Sequence, residues 1–402
     1  MHLLIIGGGA AGLCAAITAK RKNKTLKVTL LEANDRVGKK LITTGNGRCN
    51  ITNKDLSVNN YHGGTEICYC LDNDFITDFF ASIGTEIVFE ETGKAYPASY
   101  QALSVVDNLR FACEELGVEI LTNQKVTDVY CKSGVFTVKA EKTFNADAVI
   151  VCSGSAAGGK IASDSGYSLL KAFSHTVTPI TPAIAPIKTE TDVVRQLKGI
   201  KVNATARLIV DGKPIREEYG EVLFCDYGLS GPPILQLARP AALPFKTAQI
   251  NLDLMPDINK GVLIEKLYQR KSLLSNRTAG EFFTGLLNKR LGQVICKLCG
   301  FSANTPVSEL KVEKLAGLIK EMPFKVLGVM PLAQAQVAAG GVRTDEFNKN
   351  FMSKKQVGLF AAGEVLNVDG DCGGFNLAFA WCSGITAANA AVEYLEDKNA
   401  AR

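Results

Sequence analysis

Gly7-x-Gly9-x-x-Gly12 is the first pattern in the chain whose residue types and spacing suit chemistry. Its glycines permit a tight turn, a close approach of backbone to a diphosphate, and close packing of a helix on a strand. A helix that starts there adds unpaired N–H groups and the positive end of its dipole. Ala10 and Ala11 fall inside that first turn, and Glu32 lies twenty residues beyond Gly12, where a carboxylate accepts hydrogen bonds from ribose hydroxyls. Alone the pattern is weak, and a glycine-rich turn without a ligand is the plain alternative. Its setting makes it specific. Residues 2–6 form a strand-like apolar run, 13–20 are small and helix-compatible, and 27–32 read as a second strand. Strand, turn, helix and strand thus fit within about 30 residues, the span of a βαβ unit.

Other stretches extend this site. Arg36-Val37-Gly38-Lys39-Lys40 leads into Thr44-Gly45-Asn46-Gly47-Arg48-Cys49-Asn50, a loop whose backbone N–H groups and cations suit a pyrophosphate or the electron-rich edge of a reduced flavin. A flexible surface loop is the alternative. Residues 147–154 read as a buried strand ending in Cys152-Ser153-Gly154, and 359–364 as another ending in Gly363-Glu364. This late return to a strand ending in Gly-acid favours FAD over a lone nicotinamide. Gly373-Gly374-Phe375-Asn376 opens a last helix over 375–397, whose free N–H groups could face the flavin carbonyl edge. The alternative is an ordinary helix start.

The elements that must position these residues give an α/β class: one Rossmann-type FAD-binding domain built from both chain ends, interrupted by an inserted domain of alternating β segments and a helical, Lys- and Leu-rich part. Expected boundaries are 1–189 and 343–402 for the cofactor domain, 190–256 and 326–342 for the inserted β part, and 257–325 for the helices. Helices are expected near 74–83, 101–116 and 165–174, and strands at 118–121, 125–131, 134–139 and 148–151. The chain has 402 residues, 47% hydrophobic and 21% charged, which suits a globular enzyme. No apolar run reaches the ~20 residues of a membrane span, and no signal segment opens the chain, so a cytoplasmic protein without a membrane partner is expected. A net charge of +5 with no basic block argues against a nucleic-acid partner. Nothing in the sequence points to an oligomeric state.

The motifs from Lys39 to Asn50, with Gly228-Leu229-Ser230-Gly231-Pro232, Ala339-Gly340-Gly341-Val342, Ala362-Gly363-Glu364 through Asp369-Gly370, and Gly373-Gly374-Phe375-Asn376, resemble a bacterial family of NAD(P)/FAD-dependent oxidoreductases. Its members are called aminoacetone oxidase-like or 3-dehydro-bile-acid reductase-like. The likeness runs nearly end to end and implies a Rossmann-type FAD-binding domain with an inserted β-barrel-like domain and a small helical subdomain. It implies FAD contacts at Gly9, Ala10, Ala11, Glu32, the Lys40 and Gly45 region, Val126, Gly363, Glu364 and the turn from Gly374 to Asn376. Two departures stand out: Cys152-Ser153-Gly154 in place of Ala-Thr-Gly, and Cys225-Asp226-Tyr227 where a histidine often stands.

The expected activity is hydride transfer between flavin N5 and a small organic substrate, either an amine or an activated C=C compound, under cover of the inserted domain. No second dinucleotide fingerprint occurs between 190 and 340, so NAD(P)H enters only as a candidate transient reductant. Rival readings are a flavin-dependent RNA-modifying enzyme, a single-site nicotinamide dehydrogenase, and a flavin-binding protein without turnover. The proton donor stays open among Tyr61, Tyr96, Tyr227 and Asp369, with His62 a lesser candidate. His2 and His175 read as structural. Twelve scattered cysteines read as reduced small hydrophobes. Cys296-x-x-Cys299 lacks a second pair or a histidine for zinc, so no metal is expected.

Overall fold

Apolar runs at both chain ends become one parallel sheet. Its order is Leu359–Ala361, Ala148–Val151, His2–Ile6, Lys27–Leu31, Glu119–Leu121. Leu3, Leu4, Ile5 and residues 148–151 are buried, as a strand covered on both faces must be, so these segments are continuously apolar rather than alternating. The computed structural model describes residues 1–401. They group into two units, one of residues 1–181 with the stretch from 336 onward, the other of 182–335.

In the first unit, helix Ala10–Lys22 packs against Phe375–Ala400 and Ala102–Glu115. Alanines and glycines make close helix packing possible: a Cβ at Gly384 would lie 2.3 Å from the Ala11 carbonyl oxygen. Phe375–Ala400 is long and apolar enough to cross a membrane, but 78% of its most apolar window is buried inside the fold. It is a core helix. Around the sheet lie helices Asn73–Ala81 and Ser165–Lys171, and a three-stranded antiparallel sheet of Asp128–Lys132, Val135–Lys139 and Thr143–Ala146. A short ladder pairs Tyr61–Gly63 with Val368–Gly370.

The second unit holds a closed six-stranded antiparallel barrel in the order Ile187–Thr189, Gly228–Ser230, Lys213–Cys225, Lys201–Val210, Ala248–Asp253, Met322–Val329. Helices Lys260–Leu273, Ala279–Phe282, Lys289–Leu298 and Val312–Lys320 accompany it. Asn259 and Asn288 cap two of them, and Thr278 with Glu281 closes a capping box, which meets the unpaired N–H groups of those first turns.

The sequence boundaries shift accordingly. Ile187–Thr189 already belongs to the barrel, so the passage lies at 181/182 rather than 189/190, and the return at 335/336 rather than 342/343. The stretch expected to be helical up to 325 gives way to a strand at Met322. The region read as alternating strands contains two helices, Thr191–Gln196 and Pro232–Ala241.

Candidate functional site

Parallel strands bring the expected residues together. Gly7 to Gly12, Glu32, Cys152 to Gly154 and Ala362 to Glu364 all follow the C-terminal ends of neighbouring strands, the edge at which open α/β sheets bind ligands. The three fingerprint glycines then divide by role. A Cβ at Gly7 would lie 2.4 Å from the Cys152 carbonyl oxygen, and one at Gly12 would lie 1.9 Å from that of Gly7. Both are demanded by the protein's own packing. A Cβ at Gly9 would meet no heavy atom within 4 Å. Its lack of a side chain leaves open space in front of the backbone, as a ligand-facing position requires. The first bond of helix Ala10–Lys22 runs from the Leu13 N–H to the Gly9 carbonyl, and no side chain caps the turn. The N–H groups of Ala10, Ala11 and Gly12 thus precede the helical bonding pattern.

Glu32 is buried. One carboxylate oxygen accepts the Gly8 N–H at 2.8 Å, and the other accepts the Asn34 N–H at 2.8 Å and its side-chain amide at 2.6 Å. A carboxylate offers about four lone-pair sites, so acceptor capacity remains. Lys40 reaches across to Glu364 at 2.6 Å and to Ser155 Oγ at 3.5 Å. The other Glu364 oxygen, Oε1, is buried without a partner among the described residues, as are Ser153 Oγ, Tyr167 Oη and Asn50 Oδ1. Buried polar atoms are rarely left unpaired. Orphans at the ends of two neighbouring strands, beside uncapped N–H groups and a glycine facing open space, fit a dinucleotide cofactor such as FAD.

The remaining residues divide further. Phe375–Ala400 starts at Gly374, which gives no side-chain cap, and the side chain of Asn376 clasps Gly370 by its N–H (2.8 Å) and carbonyl (2.7 Å). Gly45 adopts a left-handed turn beside Tyr96. Arg48 lies over the Tyr96 ring at 4.5 Å and 3.6 Å from Glu90, so the structure gives it an aromatic and a carboxylate partner. Cys49 is fully buried, and burial pushes its thiol up to about 12, which keeps it protonated. Val126 is buried. Gly154 keeps a left-handed backbone and Gly363 takes a hydrogen bond from its N–H to Ser383 Oγ. Arg36 is exposed and lines a cavity of about 360 Å³ with Val37, Val106 and Arg110.

Among the acid candidates, the Tyr61 hydroxyl donates to the Phe375 carbonyl at 2.7 Å, and burial raises its pKa well above the usual range. Burial also raises Tyr96, against the opposing pull of Arg48. Tyr227, on the barrel, is pushed up to about 12 by burial and by Cys225. Asp369 is buried on the ladder opposite His62. His2 and His175 are held structurally: His2 bonds Asn145 O and Thr29 Oγ1, and His175 bonds Glu346 and Ser353. Burial pushes the Cys296 thiol up to about 12 and also raises Cys299, opposite to the lowered values of redox cysteines. The sequence reading passed over Asp371. It stands 3.1 Å from His62 Nε2, and no local pattern announces a partner 309 positions away.

A family model described as the HI0933-like protein Rossmann domain matches residues 1–390. A Clostridium scindens protein named 3-dehydro-bile acid delta(4,6)-reductase is 33% identical, over 97% of this chain and 98% of its own length. A ribosomal RNA dihydrouridine synthase of Haemophilus influenzae is 28% identical, over 96% and 97%. Among solved structures, the open form of a flavocytochrome c3 fumarate reductase aligns with a TM-score of 0.51 at 16% identity, over 98% of this chain and 78% of that one. That likeness is one of fold.

Proposed function

This chain is an FAD-dependent oxidoreductase of the HI0933-like Rossmann family, and from that premise we propose that it reduces a carbon–carbon double bond conjugated to a carbonyl in a small organic substrate. The relative at 33% identity, named as a delta(4,6)-reductase of a 3-dehydro acid, carries this reading. A delta-4,6 double-bond system is conjugated to a 3-keto group. Formation of dihydrouridine likewise saturates a ring double bond next to a carbonyl, so two differently named relatives share one bond chemistry. Amine oxidation has no comparable support.

When bound, the flavin supplies hydride to the electron-poor β-carbon, and a reduced nicotinamide is the proposed transient source of its electrons. The chain's own residues bind and orient. The N–H groups of Ala10 to Gly12 would hold the pyrophosphate, Glu32 would accept from the adenosine ribose, Glu364 Oε1 would accept from the sugar-alcohol chain, and Ser153 Oγ would accept from it or donate to it. Lys40 fixes Glu364. The uncapped N–H groups of Phe375 and Asn376 would bind the carbonyl edge of the ring, where the helix dipole favours negative charge. Arg48, Cys49 and Asp369 shape the surroundings.

The test is anaerobic. Protein loaded with FAD and reduced is mixed with a cyclic enone, a steroidal 4,6-dien-3-one, and separately the oxidised form with a panel of amines. The expected result is return of the yellow colour with the enone or dienone and a product heavier by two hydrogens. Bleaching of the oxidised protein by an amine, with no response to either unsaturated ketone, would overturn the reading.

A second reading places the same double bond in RNA, favoured by the dihydrouridine synthase relatives. Residues 257–325 hold twelve Lys and Arg against six Asp and Glu. Several of these cations are engaged internally, however: Arg270, Lys271, Lys314 and Lys320 donate to backbone carbonyls. A gel shift with ribosomal RNA fragments at rising salt decides it. Binding whose logarithm falls steeply with that of salt supports RNA, and no shift at low salt removes it.

A further inference from the structure

His62 and Asp371 are not among the residues assigned above to the dinucleotide, yet Asp371 is tied to the start of the last helix. His62 is the middle residue of Tyr61–Gly63 and lies directly opposite Asp369 in the antiparallel ladder. Opposed residues project from the same face of a strand pair. Just past that ladder, Asp371 Oδ1 stands 3.1 Å from His62 Nε2. The two side chains are 30% and 16% exposed, half-covered rather than solvated. Asp371 is anchored through its backbone: its N–H donates to Asn60 O at 2.9 Å and its carbonyl accepts from Asn376 Nδ2 at 3.4 Å. Asn376 belongs to the first turn of Phe375–Ala400, so the pair is tied to the turn assigned above to the ring edge. The contact with Asp371 uses His62 Nε2, which makes Nδ1 the other nitrogen of the ring.

A carboxylate on one ring nitrogen fixes the tautomer and supports the imidazolium, leaving the other nitrogen to take up and release a proton. Saturating a conjugated double bond needs such a proton. Two of the candidate tyrosines are already engaged: Tyr61 is committed to the Phe375 carbonyl and Tyr96 lies beneath Arg48. Resting on the reductase reading, we propose that His62 is the general acid of this site and Asp371 its positioning residue. The π bond breaks, the β-carbon gains hydride, and the α-carbon gains the proton from His62 Nδ1, which leaves a neutral ring. The two electrons are those of the reduced flavin, restored by a reduced nicotinamide, and bulk water returns the proton to His62. The other titratable groups on or next to this strand pair are Tyr61, Asp369 and Cys372.

The experiment uses the full chain loaded with FAD. Reduced protein is mixed with cyclohex-2-enone or a steroidal 4,6-dien-3-one in a stopped-flow instrument, and flavin reoxidation is followed against pH. His62→Gln should slow the step about 100-fold or more, in kcat rather than KM, with unchanged FAD retention and Tm. The wild-type rate should fall as rising pH removes the imidazolium, and the variant should lose that limb. Asp371→Asn should slow the step about tenfold. A readout free of turnover comes from nitrogen-15 NMR of the cofactor-free chain, which has only three histidines. The neutral His62 ring should carry its proton on Nε2, and Asp371→Asn should abolish that preference. Wild-type-like rates and pH profile in His62→Gln, or a wild-type ring protonated on Nδ1, would sink the proposal. If His62→Gln lowers Tm, Asp371→Asn carries the same test. A wild type that no unsaturated ketone reoxidises refutes the reductase reading itself, and this inference falls with it.

Discussion

Gly9 and Gly12 answer differently to one added methyl group. Gly12→Ala would place that carbon 1.9 Å from the Gly7 carbonyl oxygen, an overlap that backbone must move to relieve, so the expected cost is about 3 kcal/mol or more. Gly9→Ala has free space and an ordinary extended backbone, φ −87° and ψ −162°. Its apo stability should stay within about 1 kcal/mol of wild type, while FAD affinity falls at least about tenfold. Thermal melts of the apo forms and FAD titration separate the two. Equal losses of stability would mean that Gly9 serves packing, not a ligand. These glycines were legible in the sequence because turn geometry is local and glycine advertises it. The pairing of His62 with Asp371 was not, because its members stand 309 positions apart and the glycines beside each mark a turn but not which side chains meet. Lys40 was legible as a cation in an unusual loop, but its partner Glu364 was identified for its motif, not for the ion pair.

A half-buried carboxylate that joins three segments contributes to the pH behaviour of the first unit. Glu346 accepts from His175 at 2.9 Å, from the Thr176 N–H at 2.9 Å and from Lys355 at 2.8 Å. Burial pushes its carboxyl up, but Lys355, Thr176 and His175 outweigh that and hold it down at about 2. Burial lowers His175, against the opposing bond from Glu346. A carboxyl depressed in the folded state stabilises above its unfolded pKa, about 4.3, and loses that contribution as pH falls toward 2. A histidine lowered in the folded state opposes folding once pH drops below about 6.5. Glu346→Gln should therefore cost about 1–3 kcal/mol at pH 7, with the gap to wild type closing between pH 4 and pH 2, as chemical denaturation across that range would reveal. A gap independent of pH would refute the assignment. At this scale the cofactor domain's strands were readable from continuous apolar runs. Met322–Val329 was not, although its residues alternate buried and exposed, because a helical Lys- and Leu-rich run leads directly into it. Pro232–Ala241 was hidden by two opening prolines that look like breakers but occupy the first positions of the helix, where the missing N–H costs nothing.

Over the whole molecule, one unit holds every residue assigned to the cofactor. The chain's departure and return are joined within that unit: the Thr178 N–H donates to the Gly341 carbonyl at 2.9 Å, and the Gly341 N–H donates to Thr178 Oγ1 at 3.0 Å. A chain in which residues 183–335 are replaced by a short glycine–serine linker should fold and stay yellow with FAD, and saturating FAD at a hundredfold its Kd should add about 2.7 kcal/mol of stability. A colourless, unfolded product would mean that the fold of 1–181 depends on the inserted residues. The insertion itself was legible, since strand-ending glycines at both chain ends bracket a change of pattern. Its edges were misplaced because Ile187–Thr189 is three residues long, too short for periodicity to register.

Gly384 brings the final helix against the Ala11 carbonyl, and Trp381, Ala387 and Ala391 beside it are wholly buried. The turn at residues 7–12 is thus braced by a helix that begins only at Phe375. On the ribosome that brace cannot form until Phe375–Ala400 has been made, so two segments far apart in the chain must meet before either is fully packed.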